Sequence, residues 1–203
     1  MILYKNLFVV YRQTNGRYYK NREFVSGFQG RLGNRSCFEE GFFFDSGGRV
    51  RYDYGYQRFG NYLDGRSVQD MGKNERASYR NLKIGFIFQS YNLLPKTSAL
   101  ENVELPLLYN PAYSKRARRE KALEVLKAVG LEHRIHHRSN QMSGGQQQRV
   151  AIARAMVNDP VILLADEATG NLDTRTSYEI LALFQRLHAE GPTIIFETHN
   201  PEI

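Results

Sequence analysis

The stretch QMSGGQQQRVAIARA, residues 141–155, decides the expected fold. A serine and two glycines stand where a polar loop runs into the pattern of an amphipathic helix. A hydroxyl, a glycine backbone that can approach closely and the first amides of a helix together form an anion site. The sequence therefore predicts that the residues at this helix start bind an anion: Ser143, Gly144, Gly145 and Gln146.

Apolar runs and helical patterns alternate on both sides of this helix. Buried strands are predicted for IGFIFQ (84–89), VILLAD (161–166) and TIIFET (193–198), and residues 2–10 alternate as a strand does. Helices are predicted over 97–109 with a break at Pro106, from a cap at Ser114 to residue 129, over 145–157, and after a cap at Thr174. Strand–helix–strand spacing favours right-handed crossovers and an α/β fold with a parallel sheet.

Polar residues follow the predicted strands, and in parallel sheets chemistry gathers at the carboxyl ends. Asp166 and Glu167 can hold Mg²⁺ and orient a water, although a helix-capping pair is the alternative. The amide of Gln89 can contact both a metal and a water. His199 can donate to a phosphate oxygen, and a structural histidine is the alternative there.

Composition divides the chain near residue 62. Residues 1–62 hold 10 Lys/Arg against 5 Asp/Glu and 16 of the 25 Phe and Tyr residues, whereas residues 63–203 hold 18 Lys/Arg against 16 Asp/Glu. The net charge of +7 therefore comes mostly from the first third and follows no nucleic-acid-binding motif. The single cysteine, Cys37, excludes an internal disulfide, and no apolar run reaches membrane-spanning length.

Four motifs resemble those of the ATP-binding subunits of ABC transporters. SGGQQQRVAIARA resembles the signature motif and its helix, and LLADEATGNLD resembles Walker B with the D-loop. FIFQSYNLLP resembles the Q-loop, and THNPE resembles the switch-histidine region. The resemblance covers residues 63–203. The sequences of residues 88–109 and of the GNLD segment most resemble the lipoprotein-release and macrolide-export branch.

The resemblance implies a single domain, residues 1–203, with a P-loop NTPase-like fold. Its parallel-sheet core would comprise residues 63–96 and 141–203, with a helical signature subdomain at 97–140 and a β part within residues 1–62.

The resemblance also implies roles in binding ATP. Ser143 and Gly145 would bind the γ-phosphate of ATP held by a partner subunit, and Asp173 would cross the dimer interface. His199 would sense the γ-phosphate. Tyr11 would stack on adenine, with packing as the alternative.

For hydrolysis, the resemblance implies that Asp166 holds Mg²⁺ and Glu167 activates water. Gln89 would contact the metal, and its loop would face a membrane-spanning permease subunit.

The sequence lacks the P-loop pattern G-x-x-x-x-G-K-[ST] that such a subunit needs to hold phosphates. Its one Gly-Lys pair, Gly72-Lys73, is followed by Asn74, and Ser67 stands where the first glycine belongs. We therefore expect residues 12–60 to be translated out of frame or diverged beyond recognition. Smaller departures are Ala168 in place of proline, Glu197 in place of an apolar residue, and an early end at Ile203, which suggests truncation.

The expected function is a dimeric ATP-binding subunit at the cytoplasmic face of the inner membrane. It would couple ATP hydrolysis to export or to lipid or lipoprotein extraction, and the missing P-loop would impair it. The alternative is a catalytically inactive partner subunit or a non-functional remnant. A chromosome-maintenance ATPase is disfavoured because only a short segment, 97–140, precedes the signature where that class has a long coiled coil. Nucleic-acid binding is not expected, and the sequence does not name the cargo.

Overall fold

The computed structural model describes residues 8–14, 17–20, 43–44, 50–51, 62–64, 66–68 and 70–198. The strands in these ranges are β1 (Phe8–Thr14), β2 (Arg17–Lys20), β3 (Phe43–Phe44), β4 (Val50–Arg51), β5 (Tyr62–Leu63), β6 (Arg66–Ser67), β7 (Ile84–Phe88), β8 (Ile162–Asp166) and β9 (Thr193–Thr198). The helices are α1 (Lys73–Lys83), α2 (Ala99–Glu104), α3 (Lys115–Ala128), α4 (Gly144–Met156) and α5 (Thr174–Ala189), with 3₁₀ turns at Leu105–Tyr109 and Ser139–Gln141.

A five-stranded sheet forms the centre, in the order β2-β1-β9-β8-β7. The pairs β1–β9, β9–β8 and β8–β7 are parallel, as predicted, and β2 pairs antiparallel with β1 at the edge. The short strands β3–β4 and β5–β6 form two separate antiparallel pairs. The parallel pairing brings the carboxyl ends of β7, β8 and β9 to one edge, which confirms that part of the prediction.

Helix starts in the described chain follow the capping chemistry of the sequence. Ser98 and Ser143 each form a capping box with the residue three positions later, and Ser114 caps α3. The predicted cap of α5 was wrong by one residue: Asp173 is the N-cap, and Thr174 is the first helical residue. The carboxylate of Asp173 reaches the amide of Thr176, so Asp173 satisfies a helix donor that has no intrahelical acceptor.

The hydrophobic core lies between the helices and the sheet. Ile180, Phe184 and Leu187 of α5 are buried, and the Phe184 ring meets Phe196 of β9 edge to face at 5.4 Å. Along α4 the residues Val150 to Ala153 are buried. The helix lies so close to β7 that a Cβ at Gly85 would collide with the carbonyl oxygen of Ala155.

The other element predictions are confirmed, with small shifts. The break at Pro106 separates α2 from a 3₁₀ turn, and Gly130 ends the α3 segment with a φ of 78°. The strand expected over 2–10 is described from Phe8 and continues to Thr14, and residues 2–7 lie outside the described ranges. In the described part of the chain no helix combines the length and the apolar character needed to cross a bilayer.

Among the buried polar residues of the described chain, Gln148 is the one whose side-chain amide is unpaired. Its side chain is 0% exposed, and neither Nε2 nor Oε1 has a hydrogen-bond partner there. An unsatisfied buried amide costs about 1–3 kcal/mol, whereas an apolar side chain of similar shape carries no such penalty.

We therefore expect Gln148→Met to raise the free energy of unfolding by about 1 kcal/mol, measured by urea denaturation. The matched control is Gln147→Met, because Gln147 Nε2 donates to Met142 O at 3.1 Å and its loss brings no gain. A fall in stability for Gln148→Met would mean that the amide is paired, for example by a bound water.

Candidate functional site

The register of the sheet places four strand positions in one row. Phe88 lies opposite Asp166, Asp166 opposite Glu197, and Glu197 opposite Tyr11. Gln89 follows Phe88 directly and therefore lies beside the Asp166–Glu167 end of β8. Tyr11 is inside β1 rather than at its end, and its side chain lies outside the description. His199 lies outside the described residues altogether, so its predicted role is not tested.

Asp166 and Glu167 form the carboxylate end of β8. Asp166 is the last strand residue, and both side chains are half-buried. Glu167 has a φ of 44°, a left-handed conformation that costs a non-glycine residue of order 1–3 kcal/mol. The amide of Gly170 donates to the carbonyl of Glu167 at 2.9 Å, which closes a turn immediately after the two carboxylates. Such strain, kept by surrounding contacts, is typical of functional sites.

The predicted anion site lies at the start of α4. Ser143 is exposed, its Oγ accepts from the amide of Gln146 at 3.3 Å, and its own amide donates to Gln146 Oε1 at 3.0 Å. Gly144 and Gly145 are the first helical residues, so their amides have no acceptor within the helix. The positive end of the helix dipole adds to the preference for negative charge.

A side chain at either glycine would displace a neighbouring side chain. A Cβ on Gly144 would lie 2.8 Å from the hydroxyl of Tyr91 and 3.3 Å from Leu172 Cδ2. A Cβ on Gly145 would collide with the methyl group of Thr176 in the first turn of α5. The start of α4 therefore touches both the loop after Gln89 and the segment that leads into α5.

The side chain of Gln89 lies against the turn that follows Glu167. A Cβ on Gly170 would be 2.5 Å from Gln89 Nε2, and Asn171 Nδ2 donates to the carbonyl of Gln89 at 3.1 Å. The structure thus places the Gln89 loop beside the carboxylate end of β8, and it also brings the α4 start against that loop.

Asp173 performs a structural role in this chain. Its carboxylate accepts from Thr176 Oγ1 at 2.6 Å and from the Thr176 amide at 2.9 Å. These hydrogen bonds lower the pKa of Asp173 below its ordinary value, and the bond from the Thr176 hydroxyl contributes most. Its predicted position at a dimer interface is not tested here.

Sequence reasoning missed Arg154 and Tyr91. Arg154 of α4 donates to the carbonyls of Tyr91 and Asn92 at 2.8 Å and 2.5 Å. The signal was present in RVAIARA, where an arginine interrupts an otherwise apolar helix segment.

A family comparison decides what this arrangement is. The sequence pattern of the family described as "ABC transporter" matches residues 52–170, more than half of the chain. The chain belongs to the ABC transporter family. The match includes the Gln89 loop, the start of α4 and the Asp166–Glu167 pair.

Individual relatives agree with this assignment. An uncharacterized ABC transporter ATP-binding protein of Thermotoga maritima is 59% identical over 141 residues, 70% of this chain and 60% of that protein. The macrolide export ATP-binding/permease protein MacB of Syntrophobacter fumaroxidans is 51% identical over 151 residues, 73% of this chain and 21% of that protein. The resemblance to the macrolide-export branch is therefore confirmed.

A solved structure confirms the fold. The ATP-binding cassette MJ0796 of Methanocaldococcus jannaschii, in a dimeric post-hydrolysis state bound to ADP and Pi, matches with a TM-score of 0.60 and 46% identity. The match covers 70% of this chain and 62% of that one. The fold is an α/β parallel sheet of the P-loop NTPase type, and the chain spans about three fifths of the length of such ATP-binding relatives.

The Asp173 cap gives the chain an acid-sensitive element. Because the folded pKa is lowered, the carboxylate stabilises the fold above its unfolded pKa, about 3.9, and this contribution is lost as pH falls through the folded value. We expect Asp173→Asn to lower the melting temperature at pH 7, and this difference from the wild type to shrink as the pH falls below about 3.9, followed by circular dichroism.

The matched variant for this test is Thr176→Val, which keeps the methyl group against Gly145 and removes the hydroxyl that contributes most to the shift. In Thr176→Val, the melting temperature should fall less between pH 7 and pH 3 than it does in the wild type. An equal difference in melting temperature between the wild type and Asp173→Asn at both pH values would contradict this account.

Proposed function

We propose that this chain is an ATP-binding subunit of an ABC transporter and that the start of α4 binds the γ-phosphate of ATP held by a second subunit. The observation that carries the proposal is the α4 start: an exposed Ser143 followed by two helix amides without intrahelical acceptors. An exposed site suits a phosphate presented by another molecule. The MJ0796 cassette is a dimer bound to ADP and Pi, which supports nucleotide binding in a dimeric assembly.

Asp166 and Gln89 fit a Mg²⁺ ion at the strand ends. Magnesium takes one or two carboxylates and completes its shell with waters and substrate phosphates. In the described part of the chain no three or more His, Cys, Asp or Glu side chains converge. A site of one carboxylate and one amide therefore fits magnesium better than a metal that needs a full set of protein ligands. When bound, the ion would neutralise charge on the transferred phosphoryl group.

Glu167 is proposed to orient the attacking water. Its backbone is fixed by the turn closed through Gly170, so its carboxylate stays beside the end of β8. Glu197 lies in the row of strand ends, and His199 follows it by two residues in the sequence. His199 is proposed to donate to the γ-phosphate. Tyr11 is proposed as an adenine contact, and Asp173 as a residue at the subunit interface.

A catalytically incomplete partner subunit is the second candidate, and the front of the chain favours it. A P-loop connects a strand to a helix. β1, which borders β9, instead pairs antiparallel with β2, the next described strand, with Thr14 opposite Arg17. Together with the missing P-loop pattern, this supports a chain that lends its α4 start to ATP held elsewhere.

The remaining assignments follow the relatives. MacB is named as an ATP-binding/permease protein, so we propose that this chain works with a transmembrane permease at the cytoplasmic face of the inner membrane. It would act there as a homodimer or a heterodimer of ATP-binding subunits. The permease would select the cargo for export or for lipid or lipoprotein extraction.

Complementation tests the proposal. The partner is a relative with an intact P-loop whose own signature serine is replaced by arginine, so that it cannot complete its ATP sites. Adding this chain should restore Mg²⁺-dependent phosphate release, because its α4 start supplies the missing contacts.

The control is this chain with Ser143→Arg, which should restore nothing. The isolated chain should show no hydrolysis above background, since it would lose several charge-assisted phosphate contacts worth about 1.5–3 kcal/mol each. Failure of the wild-type chain to restore hydrolysis would reject the partner role. Robust hydrolysis by the isolated chain, abolished by Glu167→Gln, would instead show that its own ATP site is complete.

A further inference from the structure

Arg154 crosses from α4 to the loop that follows Gln89. Its Nη1 donates to Asn92 O at 2.5 Å and its Nη2 to Tyr91 O at 2.8 Å, so one guanidinium holds two consecutive carbonyls. Burial lowers the pKa of Arg154, yet a guanidinium stays protonated in proteins. Both hydrogen bonds are therefore charge-assisted and the stronger for it.

The two residues held in this way have an unusual backbone. Tyr91 and Asn92 have φ values of 60° and 47°, and two consecutive non-glycine residues in the left-handed region are strained. The fixed fork of arginine matches two adjacent carbonyls, which a lysine ammonium on a flexible stem does not. The loop therefore depends on Arg154 for its shape.

This loop contacts both halves of the proposed site. The Tyr91 hydroxyl lies against Gly144 at the α4 start. On the other side, the Gln89 side chain lies against Gly170, and Asn171 donates to the Gln89 carbonyl. A change in the shape of the loop would move the Tyr91 and Gln89 side chains, which lie close to these two glycines.

We propose that Arg154 is a positioning residue: by fixing residues 89–92 it couples the α4 start to the turn that follows Asp166 and Glu167. The role rests on the proposed function and adds a residue to it. Arg154 touches no reacting atom, so it acts through the loop. Binding of a phosphate at the α4 start would then shift the turn that follows the two carboxylates. A change at that turn would likewise shift the α4 start.

Amide hydrogen exchange on the full chain tests the coupling without any activity. In Arg154→Lys we expect exchange at least about tenfold faster at Tyr91 and Asn92, and also at Gly170 and Leu172, whose amides donate within the next turn. The control is Arg149→Lys on the same helix. Arg149 also donates to a carbonyl, Val129 O at 3.2 Å, but away from the loop. The Arg149→Lys variant should leave the exchange rates of all four amides unchanged.

A second variant keeps the test decisive if Arg154→Lys does not fold. Asn171→Ala alters an exposed side chain and removes the link to Gln89 from the opposite side. It should speed exchange at Tyr91 and Asn92 with Arg154 intact. Faster exchange confined to the mutated side, in either variant, would overturn the coupling.

The complementation assay adds a functional readout. Arg154→Lys should lower the maximal rate about tenfold while the ATP concentration for half-maximal rate changes less than about twofold, as expected for misplacement rather than lost binding. An unchanged maximal rate would overturn the positioning role. If the wild-type chain itself fails to complement, the proposed function fails, and the exchange data still decide whether Arg154 couples the two segments.

Discussion

The close approach of α4 to β7 is the constraint on which the candidate site depends. A side chain at Gly85 would collide with the Ala155 carbonyl and lie 2.6 Å from Leu163 Cδ2, so only glycine lets the helix rest on the sheet. From Ala155 back to Gly144 the helix rises about 16 Å, and from Gly85 to Gln89 the strand advances about 13 Å. The two lengths nearly match. Because the helix runs against the strand, its start arrives at the level of the strand ends.

Backbone strain accumulates where the three segments meet. Tyr91, Asn92 and Glu167 adopt left-handed conformations next to the strand ends. The side chain of Arg154, on a distant helix, holds the first two, and the amide of Gly170, three residues further along the chain, closes the turn at Glu167. Such conformations persist only when surrounding contacts fix them. The guanidinium of Arg154 and the amide of Gly170 provide those contacts. The strain therefore indicates a loop geometry that serves the site rather than local folding preference.

Local pattern predicted most of the fold. The three apolar runs, the capping serines and the SGG helix start depend on neighbouring residues, which the sequence displays directly. The α5 cap was misplaced because Asp173 and Thr174 are both good caps, and only the contact with Thr176 distinguishes them. Arg154 escaped notice because its partners lie about sixty residues away in the chain. Gln148 escaped notice because its burial depends on how α4 packs.

The proposed function assigns the two sets of phosphate contacts in an ATP site to different segments of the sequence. Every described contact that shapes the α4 start lies between Gly85 and Thr176, and none involves the aromatic-rich first third. Binding phosphate within the same subunit depends on a different segment, which would follow a strand bordering β9. The proposed partner role would therefore leave the geometry of the α4 start independent of a P-loop in the same chain. In that proposal the α4 start acts only where a second subunit presents ATP to it, so the close contacts at Gly144 and Gly145 would serve the neighbouring subunit's site.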